Sequence, residues 1–513
     1  MKIRTFLVML TLAAFLAPGC QKKCKKDDES SCWIDALQDP EQVEDAVAEL
    51  KSRNEKSAES AFLAVFKASA DRPKVREEIA EAFEEWKTEA AVGPMIEAID
   101  YSVGPDKDGR KAKATNRANQ KIASALGAIG DERAVDPLLR LLNVTKNPYV
   151  KRAAIRALGE MKAQKAVDPL LAILEDENAH KTIRANAVHA LGEIGDPKVV
   201  PHLIRALYQE KAFFFSHANL ALVKIGEPAV EPLIETMKGE NADIRRMLEG
   251  NVEVLKGALE ANAAQVLGDI GSKKAVGPLL DMIEKVSKWE SANKLIVMTR
   301  LIAALGDIGA SEAIEPITSS YLKTEFWDVN TVVATALTFI GDRSVVDKLI
   351  EVATEAEMHP RARVPLIEAI GNLGTDEHLP AVKKLEKKYK DRKLSEAIAK
   401  TLNRLNAYAS CKKKVACWID KLEADKAEVR EKAAYELGQL GEEKAIEPLI
   451  EAADDPSELV RWGVIFAFSK LDSKKPIPAL EELVYEKEKG SPRFKVVNSK
   501  YKRLIARLKR TGK

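Results

Sequence analysis

Five cysteines carry the most distinctive reactive chemistry in this sequence of 513 residues. Four of them lie in two similar segments, CKKDDESSCWIDAL at 24–37 and CKKKVACWIDKL at 411–422, which share a Cys-Trp-Ile-Asp run. Four cysteines allow three pairings, and the duplication favours one disulfide within each copy, Cys24–Cys32 and Cys411–Cys417. Zinc binding is the competing interpretation, but neither segment has the Cys-x-x-Cys pair or the nearby histidine that zinc sites typically use.

The fifth cysteine, Cys20, follows a segment with the features of an export signal. The apolar run Thr5–Ala17 has 13 residues, which suits a signal peptide and falls short of the roughly 20 residues of a membrane span. The sequence Ala-Pro-Gly-Cys that ends at Cys20 resembles the lipobox of bacterial lipoproteins. The resemblance implies a signal peptide over 1–19, a lipid on Cys20 and a polar tether over 20–32, at the outer membrane or the periplasmic face of the cell envelope. An ordinary secretory signal is the alternative.

Several arginines recur near the start of predicted helices, each after a β-branched residue or close to one. We predict that they form a basic row along an inner groove and pair with carboxylates of a protein partner; these residues are Arg152, Arg184, Arg245 and Arg461. Alternatively, each arginine pairs with acidic residues of the adjacent turns and ties the repeats together, as Asp176, Asp454 and Asp455 could allow.

The C-terminal segment 487–513 has a strongly basic composition. It contains 11 Lys and Arg against one Glu, a net charge of +10. Its apolar residues recur at steps of three and four, which predicts an amphipathic helix: Phe494, Val497, Tyr501, Leu504, Ile505 and Leu508. Such a helix could bind an anionic surface, or it could cap the last repeat with its apolar face while its charged face stays in solvent.

These residues are embedded in an internal repeat. Segments such as ALGAIGDERAVDPLLRLL at 125–142 and ALGEIGDPKVVPHLIRAL at 190–207 recur, and successive prolines are spaced by 32, 32 and 31 residues, at Pro137, Pro169, Pro201 and Pro232. The last glycine of Ala-Leu-Gly-x-Ile-Gly suits the positive φ of a helix C-cap. The proline suits the first turn of the next helix. Each helix pair has an apolar face that only its neighbours can bury, which predicts a stacked array.

The units resemble short HEAT repeats of the phycobilisome-lyase type over roughly residues 70–485. The resemblance implies an all-α fold, an α-solenoid of stacked antiparallel helix pairs with a right-handed superhelix. We expect a main array over 33–405, a second short array over 406–486 that the second cysteine element opens, and the basic helix 487–513. A hydroxylase branch of this family holds two irons with His-Glu pairs, but none of the six histidines here precedes a glutamate.

Composition and the motifs that the sequence lacks exclude several classes of function. A net charge of +2 excludes a general nucleic-acid coat, and 46% hydrophobic residues exclude a disordered chain. No phosphate-binding loop, nucleophile elbow or metal-ligand spacing occurs, so neither catalysis nor a cofactor is predicted. We therefore predict a non-catalytic envelope lipoprotein that binds protein partners through its solenoid surface. The alternatives are a structural spacer between envelope layers and a lyase-like enzyme of the HEAT-like family.

Overall fold

The computed structural model of this chain is helical throughout the part that it describes. The described residues are 23–209, 213–249, 257–291, 293–322, 326–355, 358–488 and 495–513. The predicted signal peptide and Cys20 lie outside them. Regular secondary structure in the described residues consists of helices, which confirms the all-α class. None of these helices combines the length and apolar character that crossing a membrane requires.

The chain divides into two compact units, Met1–Ala163 and Gln164–Lys513. The first unit contains eight helices in its described part: α1 (Ser30–Ala36), α2 (Val43–Ser52), α3 (Glu59–Ala68), α4 (Pro73–Trp86), α5 (Val92–Ala98), α6 (Arg110–Ile129), α7 (Val135–Val144) and α8 (Pro148–Glu160).

The second unit begins with helix pairs that continue the repeat. They are α9 (Val167–Glu175), α10 (Lys181–Ile194), α11 (Val200–Ala206), α12 (Phe215–Ile225), α13 (Val230–Lys238), α14 (Ala242–Leu248), α15 (Ala258–Ile270), α16 (Val276–Ser287), α17 (Lys294–Ile308), α18 (Ile314–Tyr321), α19 (Trp327–Ile340), α20 (Val346–Thr354), α21 (Pro360–Leu373) and α22 (Leu379–Lys388).

The unit ends with α23 (Arg392–Cys411), α24 (Val415–Lys421), α25 (Ala427–Leu440), α26 (Ile446–Glu451), α27 (Glu458–Leu471), α28 (Ile477–Glu488) and α29 (Lys495–Thr511). Helix α23 runs across position 405, where the sequence placed the boundary between the two arrays.

The recurring shape of the repeat follows from its local sequence. Gly130 ends α6 with a φ of 81°, as expected for the last glycine of the Ala-Leu-Gly-x-Ile-Gly motif. The side chain of Asp131 then accepts the N–H of Arg133 and opens a short 3₁₀ turn. Helix α7 follows directly, with Pro137 in its first turn, where a missing N–H leaves no helical hydrogen bond unmade. Glycine and aspartate together therefore set the angle between consecutive helices.

The first glycine of the same motif lets neighbouring helices approach closely. In the second unit, a Cβ on Gly306 of α17 would lie 2.7 Å from the Cα of Ala336 on α19. A Cβ on Gly268 of α15 would likewise lie 2.7 Å from the Cα of Ala304 on α17. These distances are shorter than any van der Waals contact, so the stacking of the second helices of the repeats requires glycine at these positions.

The last helices of the second unit fold back on earlier ones. Tyr435 of α25 donates its hydroxyl to the carbonyl of Thr338 on α19 at 3.0 Å, and Gln439 donates to the carbonyl of Gly341 at 2.7 Å. We call α25, α27 and α29 the return segment, and the earlier helices α15, α17, α19 and α21 the inner helices. The site described below lies between these two groups.

Candidate functional site

Each inner helix ends against a cation of the return segment. The last carbonyls of a helix have no partner within the helix and carry its negative dipole end, so cations stabilise them. From α29, Arg510 donates to Ile270 O at 3.0 Å and Arg507 donates to Asp307 O at 3.2 Å. From α27, Lys470 donates to Ile340 O at 2.9 Å, and from α25, Lys432 donates to Asn372 O at 2.6 Å. The return segment thus caps four consecutive repeats.

Two carboxylates strengthen the junction between the inner helices and the return segment. Lys500 Nζ of α29 lies 2.6 Å from Asp307 Oδ2 and 3.3 Å from Asp269 Oδ1, and Arg503 Nε lies 3.0 Å from Asp269 Oδ1. Burial by itself would lower the pKa of Lys500, but the two aspartates outweigh it and raise that pKa above its usual value. The ammonium group therefore stays charged inside the junction.

The C-terminal helix differs from both sequence interpretations. Its apolar face is buried with α25 and α27, through Val497, Tyr501, Leu504, Ile505 and Leu508, as a capping helix requires. Its basic face, however, does not remain in solvent, because Lys500, Arg503, Arg507 and Arg510 contact the inner helices. These four cations are therefore engaged within the chain and are not available to the anionic surface that the sequence suggested as a partner of this helix.

The predicted basic row of arginines is wrong for two of its four members, Arg184 and Arg461, which are buried. Arg184 and Arg461 are each only 3% exposed, and each reaches back to the end of the preceding helix. Arg184 donates to Leu174 O at 2.8 Å, and Arg461 donates to Asp455 O. They cap the preceding helix of the same repeat, which is closer to the alternative interpretation, although the acceptors are backbone carbonyls. Arg152 and Arg245 are exposed, and the former lies in the other unit.

Acidic residues instead recur at one repeat position, between the glycine and the isoleucine of Gly-x-Ile-Gly. In the second unit this position holds Glu193, Asp269 and Asp307. Glu193 pairs with Lys224, and the other two hold the return segment. Sequence reasoning missed this row, although aligning the motif copies by their glycines would have revealed it.

An open cleft lies beside the junction, between the inner helices and the return segment. It consists of two adjoining cavities of about 360 and 370 Å³, and three residues line both of them: Thr335, Phe339 and Trp462. Thr335 is exposed, while the two aromatic rings are half-buried and meet edge to face with centroids 6.1 Å apart. Cavities of roughly 300–1,000 Å³ with apolar walls and few polar groups are typical of binding sites.

Each cavity contains one charged side chain that has no partner among the described residues. The smaller cavity contains the exposed Arg300, and its other charged groups, Asp269, Asp307, Lys500 and Arg503, are paired with one another. The larger cavity contains Glu368, whose pKa is raised by burial. The cleft can therefore contribute one cation and one carboxylate to a bound molecule.

The remaining predicted site residues are the cysteines, and both expected disulfides are present. Cys24–Cys32 has a Cα–Cα distance of 6.1 Å, and Cys411–Cys417 one of 5.3 Å. In the described part of the chain, one cluster of possible metal ligands occurs, formed by Cys24, Cys32 and Asp28. Both sulfurs are consumed by the disulfide and are not thiolate ligands, so this cluster does not suit zinc.

Comparison with known proteins identifies the repeats. The family model of HEAT repeats matches residues 109–181, 141–218, 177–250 and 415–497. No curated protein matches this sequence.

Several solved structures are similar to this chain. Importin beta is 12% identical with a TM-score of 0.38, covering 93% of this chain and 74% of its own. Kap121p bound to RanGTP is 12% identical with a TM-score of 0.43, covering 92% and 56%. The CpcE–CpcF complex of phycocyanin lyase from Nostoc sp. PCC7120 is 16% identical with a TM-score of 0.30, covering 54% and 94%.

Proposed function

We propose that this HEAT-repeat protein is a scaffold of the bacterial cell envelope that binds a protein partner in the cleft of its second unit. The observation that supports this proposal most directly is the cleft itself. The return segment covers the inner helices at their C-terminal ends. In the turns before those ends, the same helices line the open cavities around Thr335. A repeat array offers such extended surfaces for distributed protein contacts.

Exposed apolar side chains continue this surface along the same helices. Ile296 and Trp327 lie in the first turns of α17 and α19 and are 55% and 44% exposed. Leu459 in the first turn of α27 lines the larger cavity and is 42% exposed. Exposed aromatic and aliphatic groups beside a concave surface are typical of protein-binding sites.

A bulky substitution at Thr335, the exposed residue among the three that line both cavities, tests the scaffold. Thr335→Trp fills both cavities from an exposed helix position. The control is Ser320→Trp on α18, the outer helix of the same repeat, where the side chain is also exposed. In a crosslinked pull-down from detergent-solubilised envelopes, we expect a stoichiometric partner with wild type and Ser320→Trp and its loss with Thr335→Trp. A partner that is retained by Thr335→Trp would contradict the cleft and favour the spacer.

The proposed location in the cell envelope rests on the sequence around Cys20. A lipid on this thiol would tether the folded units through the polar segment 20–32. We expect Cys20→Ala to leave the membrane fraction or to accumulate with its signal peptide uncleaved, and intact-mass analysis of wild type to show a diacylglycerol adduct. A Cys20→Ala protein that is processed and fractionates as wild type does would contradict lipidation and favour an ordinary secretory signal.

A further inference from the structure

Glu368 on α21 is a carboxylate without a counter-ion inside the larger cavity. The side chain is half-buried, accepts no hydrogen bond and forms no ion pair among the described residues. A charged group that has lost part of its hydration without gaining a partner is costly for the fold. Burial accordingly raises the pKa of Glu368.

The neighbouring charges do not supply the missing partner. Arg404, which is 1% exposed, is paired through Nη2 with Glu431. Asn372 also donates to Glu431, at 3.0 Å. The charged residues that line this cavity are therefore Arg404, Glu431 and Glu368, which sum to a net charge of −1. A cation would complete the charge balance.

Aromatic residues line the same cavity as this carboxylate. They are Trp462, Phe339, Tyr435 and Phe466, and Tyr435 stacks on Phe466 with ring centroids 4.1 Å apart and planes inclined by 13°. The faces of aromatic rings attract cations, Trp most strongly. A carboxylate among aromatic rings suits an ammonium or guanidinium group at the end of an apolar chain, because the rings pack on the methylenes and the carboxylate pairs with the charged end.

We propose that the Glu368 cavity receives a lysine or arginine side chain of the protein partner. This inference rests on the proposed function, since it names the chemistry by which the cleft recognises its partner. The cationic side chain enters past Leu459 and Trp462, pairs with Glu368, and leaves the Arg404–Glu431 pair undisturbed behind it. The partner segment therefore needs one basic residue at this point.

Peptide probes test the cavity on the full chain. The probes are acetyl-Gly-Lys-Gly-amide and acetyl-Gly-Arg-Gly-amide, with the norleucine peptide as the neutral isostere and spermidine as a free amine. Binding is followed by ligand-observed NMR. We expect both cationic peptides to bind wild type, and Glu368→Gln to weaken them about tenfold or more, as for loss of a charged hydrogen-bond partner.

Glu386→Gln is the matched control, because it removes the same charge from an exposed position on α22 and should leave binding unchanged. Since Glu368 is desolvated, Glu368→Gln should unfold at the same temperature as wild type or a higher one. Equal binding of the norleucine peptide, equal loss with Glu386→Gln, or spermidine binding tighter than both peptides would overturn the inference.

The peptide test of the Glu368 cavity and the pull-down test of the scaffold can give different answers. Suppose that a partner is lost with Thr335→Trp but the cationic peptides bind Glu368→Gln as well as wild type. The scaffold function is then supported, and recognition of a cationic side chain by Glu368 is contradicted. If the peptides bind through Glu368 and no partner depends on Thr335, the cavity chemistry stands and the scaffold fails.

Discussion

Lys500 Nζ lies 2.6 Å from Asp307 Oδ2, although the two residues are separated by 193 positions in the sequence. The contact joins the last helix of the chain to the middle of the repeat array in the second unit. Together with the four helix-capping cations, it makes the return segment an integral part of that unit. A linear array, in which each repeat contacts only its neighbours, would have no such long-range contact.

Breaking this pair should destabilise the second unit. Lys500→Met leaves Asp307 and Asp269 with less compensation in a largely buried junction, so we expect a loss of roughly 2–3 kcal/mol, below the range for a fully buried pair. The double variant Lys500→Met/Asp307→Asn should recover part of it. Urea unfolding measures the free energy of unfolding of the single and the double variant. Lys475→Met removes an exposed partner of Glu443 and should change little; an equal loss there would contradict a special role for Lys500.

The same pair should have a defined pH dependence. Asp307 and Asp269 raise the pKa of Lys500 above 10.5 against the opposing effects of burial and Arg503. The stabilisation is thus complete below pH 10.5 and is lost as pH rises through the folded-state pKa. We expect the difference in Tm between wild type and Lys500→Met to be constant between about pH 7 and 10 and to shrink above 10.5. A difference that grows with pH would contradict this assignment.

Local features of the repeat could be predicted from the sequence, and long-range pairing could not. The glycine C-caps, the prolines and both disulfides follow from short motifs, whose physics is contained within a few residues. The acidic position at Asp269 and Asp307 is also visible in the motif, but its partner Lys500 lies in another part of the chain. No local pattern says that α29 returns to these helices, and so its basic face was expected either to bind an anionic surface or to stay in solvent.

Arg184 shows a second limit of sequence reasoning. A charged residue that recurs with the repeat was expected to face the groove. The long side chain instead reaches back to Leu174 O from a buried position. Periodicity identifies residues with the same role, but it does not tell whether that role is to bind a partner or to cap a neighbouring helix.

The close approach of inner helices gives a sharp stability test. Gly306→Ala places a Cβ 2.7 Å from the Cα of Ala336, a backbone atom that cannot move away. We expect a loss of about 1–3 kcal/mol from overpacking. Gly277→Ala is the same change on α16, where no atom lies within 4 Å of the new Cβ, and it should be neutral or slightly stabilising. Similar losses for both in thermal unfolding would contradict the packing account.

Recognition by Glu368 should weaken in acid. Its pKa is raised mainly by burial, with Arg404 and Lys400 on α23 opposing and Glu431 on α25 and Glu396 on α23 adding to the rise. Only the ionised carboxylate attracts a cation, so the affinity for the lysine peptide should fall as pH drops through this raised pKa. The fall should begin above pH 4.5 and be absent in Glu368→Gln. An affinity that is constant down to pH 4.5 would contradict ionisation of Glu368 as the cause.

Site-specific photo-crosslinking tests the central claim most directly. A photoreactive amino acid replaces Thr335 in the cleft or, as the control, Ser320 on the outer helix of the same repeat, and intact envelopes are irradiated. We expect one discrete adduct from position 335 and none from position 320, with a lysine or arginine of the partner near the crosslinked residue. No adduct from position 335, or the same adducts from both positions, would contradict a binding cleft between the inner helices and the return segment.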